Sequence, residues 1–181
     1  DATEAGRKVY QKFGFVDEYR ISRMVNNSSD YSNTFDIKSA LEIDKRDVVE
    51  IVEFDGRVFG VPREQLIKAW YLDRPQGSYM IKQNDQIKGF ALGRNGNRFL
   101  QIGPVSANSM SDTKILMSHA LLNHTGKPVV VDVMNDKTDF VHWLTALGFE
   151  KKREFTRMFL KSNLNPGEKH KQYLIGGPEF G

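Results

Sequence analysis

Apolar and polar positions along the chain follow two periods, and the switches between them mark out the elements. Ala5, Val9, Tyr10 and Phe13 recur on one face of a predicted helix, with Asp1 and Glu4 as a capping pair before it and Gly14 as a left-handed stop. An extended stretch over residues 15–24 follows. Residues 26–34 are polar and turn-rich and read as a linker. A strand is expected over 35–42 and a helix over 44–54. Pro62 suits the first turn of a helix carrying Leu66, Ile67, Trp70 and Tyr71. A three-strand meander over 78–83, 86–93 and 98–102 turns at Asn84-Asp85 and at Arg94-Asn95-Gly96-Asn97. Ser109 with Asp112 caps a helix running to about residue 124. The valine-rich run 128–133 suits a strand buried on both faces. Residues 136–147 form a helix, with Asn135 as cap and Phe140, Val141, Leu144 and Leu147 as its buried stripe. A strand around 154–160 and a further one over 172–175 complete the order.

The ending of the first helix recurs later. When Phe15 is set over Phe149, 134 positions further on, Gly14 meets Gly148, Arg23 meets Arg157 and Met24 meets Met158. Phe13 falls on Leu147 and Ile21 on Phe155, apolar for apolar. Helix, glycine stop, Phe and strand follow in the same order in both copies. The repeat predicts a tandem of two related domains: residues 1–25 end the first, 26–34 link, and 35–181 form the second. The chain opens without methionine inside a predicted helix, so a polypeptide trimmed upstream is expected, with about 110 residues ahead of Asp1.

Composition narrows the classes. With 181 residues and 39% apolar positions, the chain can bury a sizeable core. It contains no cysteine, which excludes a disulfide scaffold, a thiolate zinc site and a cysteine nucleophile. No apolar run has the length of a membrane span and no signal peptide is legible, so a cytoplasmic setting is expected and no membrane partner. The 26 basic against 23 acidic residues describe a mixed surface and no nucleic-acid footprint. His119, His124, His142 and His170 form no i, i+3 or i, i+4 pair, so no metal site is expected, and His142 reads as a partly buried structural histidine. Gly93-x-x-Gly96 is a hairpin turn, since no helix follows it. Lys151-Lys152-Arg153 and Lys169-His170-Lys171 read as solvated faces. Trp70, Tyr71 and Trp143 read as core or interface residues.

The element order resembles the GNAT acyltransferase fold, an α/β (α+β) architecture with a mixed, mostly antiparallel sheet flanked by helices. Tyr10-Gln11-Lys12-Phe13-Gly14-Phe15 resembles that family's C-terminal signature, in which a helix carrying a tyrosine runs into Leu-Gly-Phe and a strand. Leu144-Thr145-Ala146-Leu147-Gly148-Phe149 resembles it without the tyrosine. Residues 1–7, Asp55-Gly56-Arg57-Val58-Phe59-Gly60-Val61-Pro62-Arg63 and the closing Gly177-Pro178-Glu179-Phe180-Gly181 are similar to a YitH-type subgroup with two such domains in tandem.

The resemblance implies transfer of an acetyl group from acetyl-CoA, as co-substrate, to the amine of a small molecule or peptide. Tyr10 stands where the family places a general acid for the leaving thiolate, a tyrosine pKa near 10 lying above that of a thiol. The alternative reading of Tyr10 is a core aromatic. Thr3 and Arg7 lie near where the family contacts the pantetheine arm and phosphates; Arg7 is equally readable as a solvated arginine. Gly6 either permits close approach of the cofactor chain or spares space in helix packing. Glu18, just after the signature, is either an acceptor-side base or a surface carboxylate.

The second copy departs from the pattern. Leu144 cannot donate a proton, and Gly103-Pro104-Val105-Ser106-Ala107-Asn108-Ser109, read as the loop before the central helix, lacks the glycine-rich turn that aims N–H groups at a pyrophosphate. The more complete unit is therefore expected to be non-catalytic, a module that binds a partner or shapes an acceptor pocket. The apolar set Val9, Tyr10, Phe13, Phe15, Val16, Tyr19 and Ile21 is expected to dock on that unit or to swap between chains as a homodimer.

Overall fold

The computed structural model describes residues 1–27, 31, 35, 40–123 and 128–180. Among the described residues five α-helices and eight strands follow one another: α1 (Glu4–Lys12), β1 (Phe15–Asn26), β2 (Leu41–Glu42), α2 (Val48–Phe59), α3 (Glu64–Asp73), β3 (Tyr79–Gln83), β4 (Gln86–Asn95), β5 (Leu100–Ala107), α4 (Met110–Leu122), β6 (Val129–Met134), α5 (Thr138–Ala146), β7 (Glu150–Leu160) and β8 (Gln172–Leu174). The strands form one sheet in the order β2-β3-β4-β5-β8-β6-β1-β7, antiparallel except where β5 runs beside β6. This is the mixed, mostly antiparallel sheet expected.

Helices cover both faces. Tyr79 and Ala91 point to one side, where Leu116, Met117 and Leu121 of α4 and Phe140 and Leu144 of α5 complete a core. Met80, Phe90 and Leu92 point to the other and meet Ile51, Phe54 and Val58 of α2 and Ile67 and Trp70 of α3. Every residue of β5 and β6 is buried, as the valine run predicts for strands enclosed on both faces.

Several local expectations are corrected by partners distant in sequence. Thr3, not Asp1, caps α1, because Arg157 takes the Asp1 carboxylate. Asn135 does not cap α5; it accepts from the Ser22 hydroxyl at 2.7 Å and donates to Glu154 at 3.2 Å, and the helix starts after Lys137. The helix expected from residue 44 begins at Val48 after a short 3-10 turn whose capping box joins Asp44 and Asp47. Residues 103–107 belong to β5, not to a loop. Of the strand expected over 35–42, residues 36–39 lie outside the described residues and Leu41–Glu42 is extended; most of the expected linker also lies outside them.

The repeated copies pair with each other. Ile21 stands opposite Phe155, its counterpart 134 positions on, with Tyr19 opposite Arg157 and Arg23 opposite Arg153. The ladder therefore reads the same from either strand. Its two irregularities obey the same relation: Glu18 is left out of register in β1, and Lys152, its counterpart, in β7. Both helices are nine residues long and start 134 positions apart. Gly14 and Gly148 end the copies with φ of 84° and 90°, a left-handed conformation in which a Cβ is strained.

The correspondence reaches past the helices. Asp132 of β6 holds Arg23 through Nε and Nη2, both at 2.8 Å, and Asp1 holds Arg157 in the same two-pronged way. Val133 lies opposite Ser22, and Ala2 bridges Thr156 with two backbone bonds of 2.8 Å. Asp1-Ala2 thus matches Asp132-Val133, with three more residues before the helix in the second copy.

Candidate functional site

Tyr10 projects from α1 beside Phe15, ring centroids 5.4 Å apart, and lines a shallow recess of about 260 Å³ with Asp1, Ala2 and Met158. It is 45% exposed. Within this chain α1 buries none of its residues, and Val9 and Phe13 are also exposed, so this face does not dock on residues 35–181 as one of the two expectations had it. Further along the same segment, Ile21 is fully buried in the sheet and Tyr19 packs beside it.

Thr3, Gly6 and Arg7 share α1 with Tyr10 but do not line its recess. Thr3 Oγ1 accepts the Gly6 N–H at 3.3 Å. A Cβ on Gly6 would lie 3.5 Å from Thr3 Oγ1 and 3.6 Å from the Tyr10 ring, ordinary contact distances. Nothing within the chain therefore requires glycine there. Arg7 Nε donates to Asp17 Oδ2 at 2.7 Å, and its guanidinium also faces Glu4 at 3.6 Å. The hydrogen bond raises the Arg7 pKa and holds the Asp17 carboxyl below its usual range. An anion binding Arg7 would compete with this pair.

The second copy carries no tyrosine at the matching position. Leu144 stands at the position of Tyr10 and is fully buried in the core to which α4 and the sheet contribute. At the start of α4, Ser109 Oγ accepts the Asp112 N–H at 3.1 Å and donates to Asp112 Oδ2 at 2.7 Å. A carboxylate thus already sits where a helix N-terminus would attract phosphate. β5 and β6 pair over three residues and then diverge, a place where open sheets form ligand crevices. Here β8 fills the gap, pairing with Val105 and Ser106 on one side and Val133 on the other. Gly103 has φ 149°, and a Cβ on it would fall 2.2 Å from the Ile175 carbonyl, so the tail is seated on it. These residues do not fit a coenzyme pyrophosphate.

Two cavities beside β1 and β7 escaped the sequence reading. One of about 470 Å³ is lined by Glu18, Tyr19, Arg157, Phe159 and Lys169, among others; Glu18 accepts from Asn163 at 2.6 Å and from Lys169. The other, about 630 Å³, includes Arg23, Arg94, Lys152 and Arg153 in its wall. The run of three charges at 151–153 was the available signal, because strict alternation cannot accommodate it. His119 is a structural residue, its Nε2 accepting the Ala40 N–H and its ring 5.2 Å from Tyr79. His142 is exposed, not partly buried, and His124 lies outside the described residues. Among the described residues no cluster of three metal-ligating side chains occurs, and no helix is long and apolar enough to cross a membrane.

Comparison with known proteins agrees with this architecture. Residues 51–174, from α2 to β8, match the family model described as acetyltransferase (GNAT) domain. The holothin acyltransferase of Pseudoalteromonas sp. (strain SANK 73390) is 28% identical over 173 residues, 95% of this chain and 58% of that protein. A protein described as an acetyltransferase from Pyrococcus horikoshii superposes with a TM-score of 0.75 at 21% identity, covering 100% of this chain and 58% of that one. A GCN5-related N-acetyltransferase from Sphaerobacter thermophilus gives 0.64 at 15% identity, covering 91% and 58%. The chain thus spans a little over half the length of these relatives. On the family match, supported by the fold, the chain belongs to the GNAT acetyltransferases.

Proposed function

We propose that this chain is part of an N-acyltransferase that moves an acetyl group from acetyl-CoA to the amine of a small molecule or peptide, with Tyr10 as the general acid. Acetyl-CoA supplies the activated acyl group. Tyr10 would give its phenolic proton to the departing thiolate. Thr3, Gly6 and Arg7 are proposed to line the cofactor's path, Arg7 exchanging Asp17 for a phosphate oxygen.

The observation that carries this reading is the contrast between the two copies: one presents a half-exposed tyrosine over a recess, the other a fully buried leucine at the same position. The self-paired ladder and the paired Asp–Arg clamps support a YitH-like tandem, with residues 1–25 closing one unit and 35–181 forming the other. The uncovered α1 face and the outer edge of β7 would then meet the preceding unit of the same polypeptide. A second reading, that residues 26–181 act as a non-catalytic module shaping an acceptor site, is favoured by the seated β8 and by Asp112 at the start of α4.

The experiment is an acetyl-CoA titration followed by melting temperature, on this chain and on a polypeptide carrying the preceding unit. Ligand at one hundred times its Kd adds about 2.7 kcal/mol. A shift only in the longer polypeptide, with kcat falling roughly 10²-fold or more in Tyr10→Phe, is the expected result. Full activity in Tyr10→Phe would remove the acid from this residue.

A further inference from the structure

The two large cavities are counterparts whose charge has diverged. From β1 and β7 the larger takes Arg23, Val25, Lys152 and Arg153; the smaller takes Arg157, Phe159, Glu18 and Tyr19, each 134 positions from its partner. Bulges commonly re-aim a side chain out of the ladder's alternation. Here the matched bulges deliver a carboxylate, Glu18, to one cavity and an ammonium, Lys152, to the other.

A fixed polar relay runs through the wall of the larger cavity, which Gln101 and Glu179 also line, to Asp132 behind it. Asp132, fully buried, accepts from Arg23 and from Gln101 Nε2 at 2.7 Å. Gln101 Oε1 accepts from Arg94 Nη2 at 3.1 Å, and the same nitrogen reaches Glu179 Oε1 at 2.5 Å. The relay holds both guanidinium groups at the wall while Nη1 of Arg23 and Nε and Nη1 of Arg94 carry no partner among the described residues. Each of these preset nitrogens can donate a charge-assisted hydrogen bond to a carboxylate oxygen.

The charges in and around the wall leave one cation over. Arg23 faces Asp132, Arg94 faces Glu179 and Lys152 faces Glu150, whereas Arg153 has no acidic partner among the described residues. Val25, Phe99 and Val130 supply apolar lining beside these groups.

We propose that this cavity is a binding site for a small organic carboxylate, its single negative charge answering Arg153 and its apolar body lying on Val25, Phe99 and Val130. The surplus of one favours a monoanion over a phosphate dianion. The site does not depend on the acyl-transfer reading and needs no coenzyme.

The test is calorimetric titration of the whole chain at low salt with benzoate, phenyl phosphate, benzamide and benzylamine. Benzoate is expected to bind, with the neutral amide and the amine weaker by roughly tenfold or more and phenyl phosphate no tighter than benzoate. Arg153→Ala and Lys152→Glu, both at exposed positions, should each weaken benzoate by a similar factor, while Lys169→Ala in the counterpart cavity should leave it unchanged. Equal binding of benzamide, tighter phenyl phosphate, indifference to both cavity variants, or no benzoate binding at millimolar concentration would each overturn the proposal.

Discussion

Helices α1 and α5, nine residues each and starting 134 positions apart, stand in two settings. α5 buries Phe140 and Leu144 against α4 and the sheet, whereas α1 leaves Val9, Tyr10 and Phe13 at 51%, 45% and 71% exposure. An apolar stripe records which face a helix offers, but coverage depends on what stands opposite: α1 borders β1 and β7 with its stripe left open, while the stripe of α5 joins the core shared with α4. The largest expected effect tests this contrast. Leu144→Ala should cost about 2–5 kcal/mol, the range for emptying a closed core site. Tyr10→Ala, at the matched position, should stay within about 0.5 kcal/mol, as for surface changes. Urea denaturation measures both, and equal costs would mean that α1 is covered in solution.

The Asp–Arg clamps sharpen the comparison at intermediate scale. Asp132 lies inside the sheet, so Arg23→Ala strands a buried carboxylate and should cost about 3 kcal/mol, with Gln101 as its remaining side-chain donor. Asp1 is also shielded from solvent, yet its segment meets β7 through one isolated bridge, whereas β6 pairs with β1 over six residues. Arg157→Ala should therefore cost about 1 kcal/mol. Guanidinium melts of the two variants decide the order. A reversed ranking would make Asp1 the more firmly seated member.

Elements fixed by nearby residues were legible in the chain. The valine run became β6, and Ser109 caps α4 through Asp112 as its spacing indicates. Asn84 and Asp85 adopt positive φ in the tight turn between β3 and β4. Distant partners account for what was not. Gly103-Pro104 looks like a loop start, yet β8, some seventy residues later, holds that stretch as strand. Asp1 and Asn135 have good capping chemistry, and Arg157, Ser22 and Glu154 reach them first. The helix–glycine–Phe signature exposed Tyr10 because its motif is contiguous. The two cavities were hidden because Glu18 and Lys152 become bulges only when the copies pair.

The smallest effect separates structure from function at Gly6. Its counterpart is Phe140, a core residue at 1% exposure, so the second copy fills with a ring the place that α1 leaves empty. Within the chain a methyl group at Gly6 meets only ordinary contacts at 3.5 Å and beyond. Helix propensity then predicts that Gly6→Ala stabilises by about 0.5–1 kcal/mol. If the gap is kept for a cofactor chain, the same variant in the longer polypeptide should bind acetyl-CoA more weakly while melting higher. Thermal melts with and without acetyl-CoA read both quantities from one sample. A variant that gains stability and keeps its full ligand-induced shift would show that the glycine leaves room for nothing, and would remove Gly6 from the proposed site while leaving Tyr10 in it.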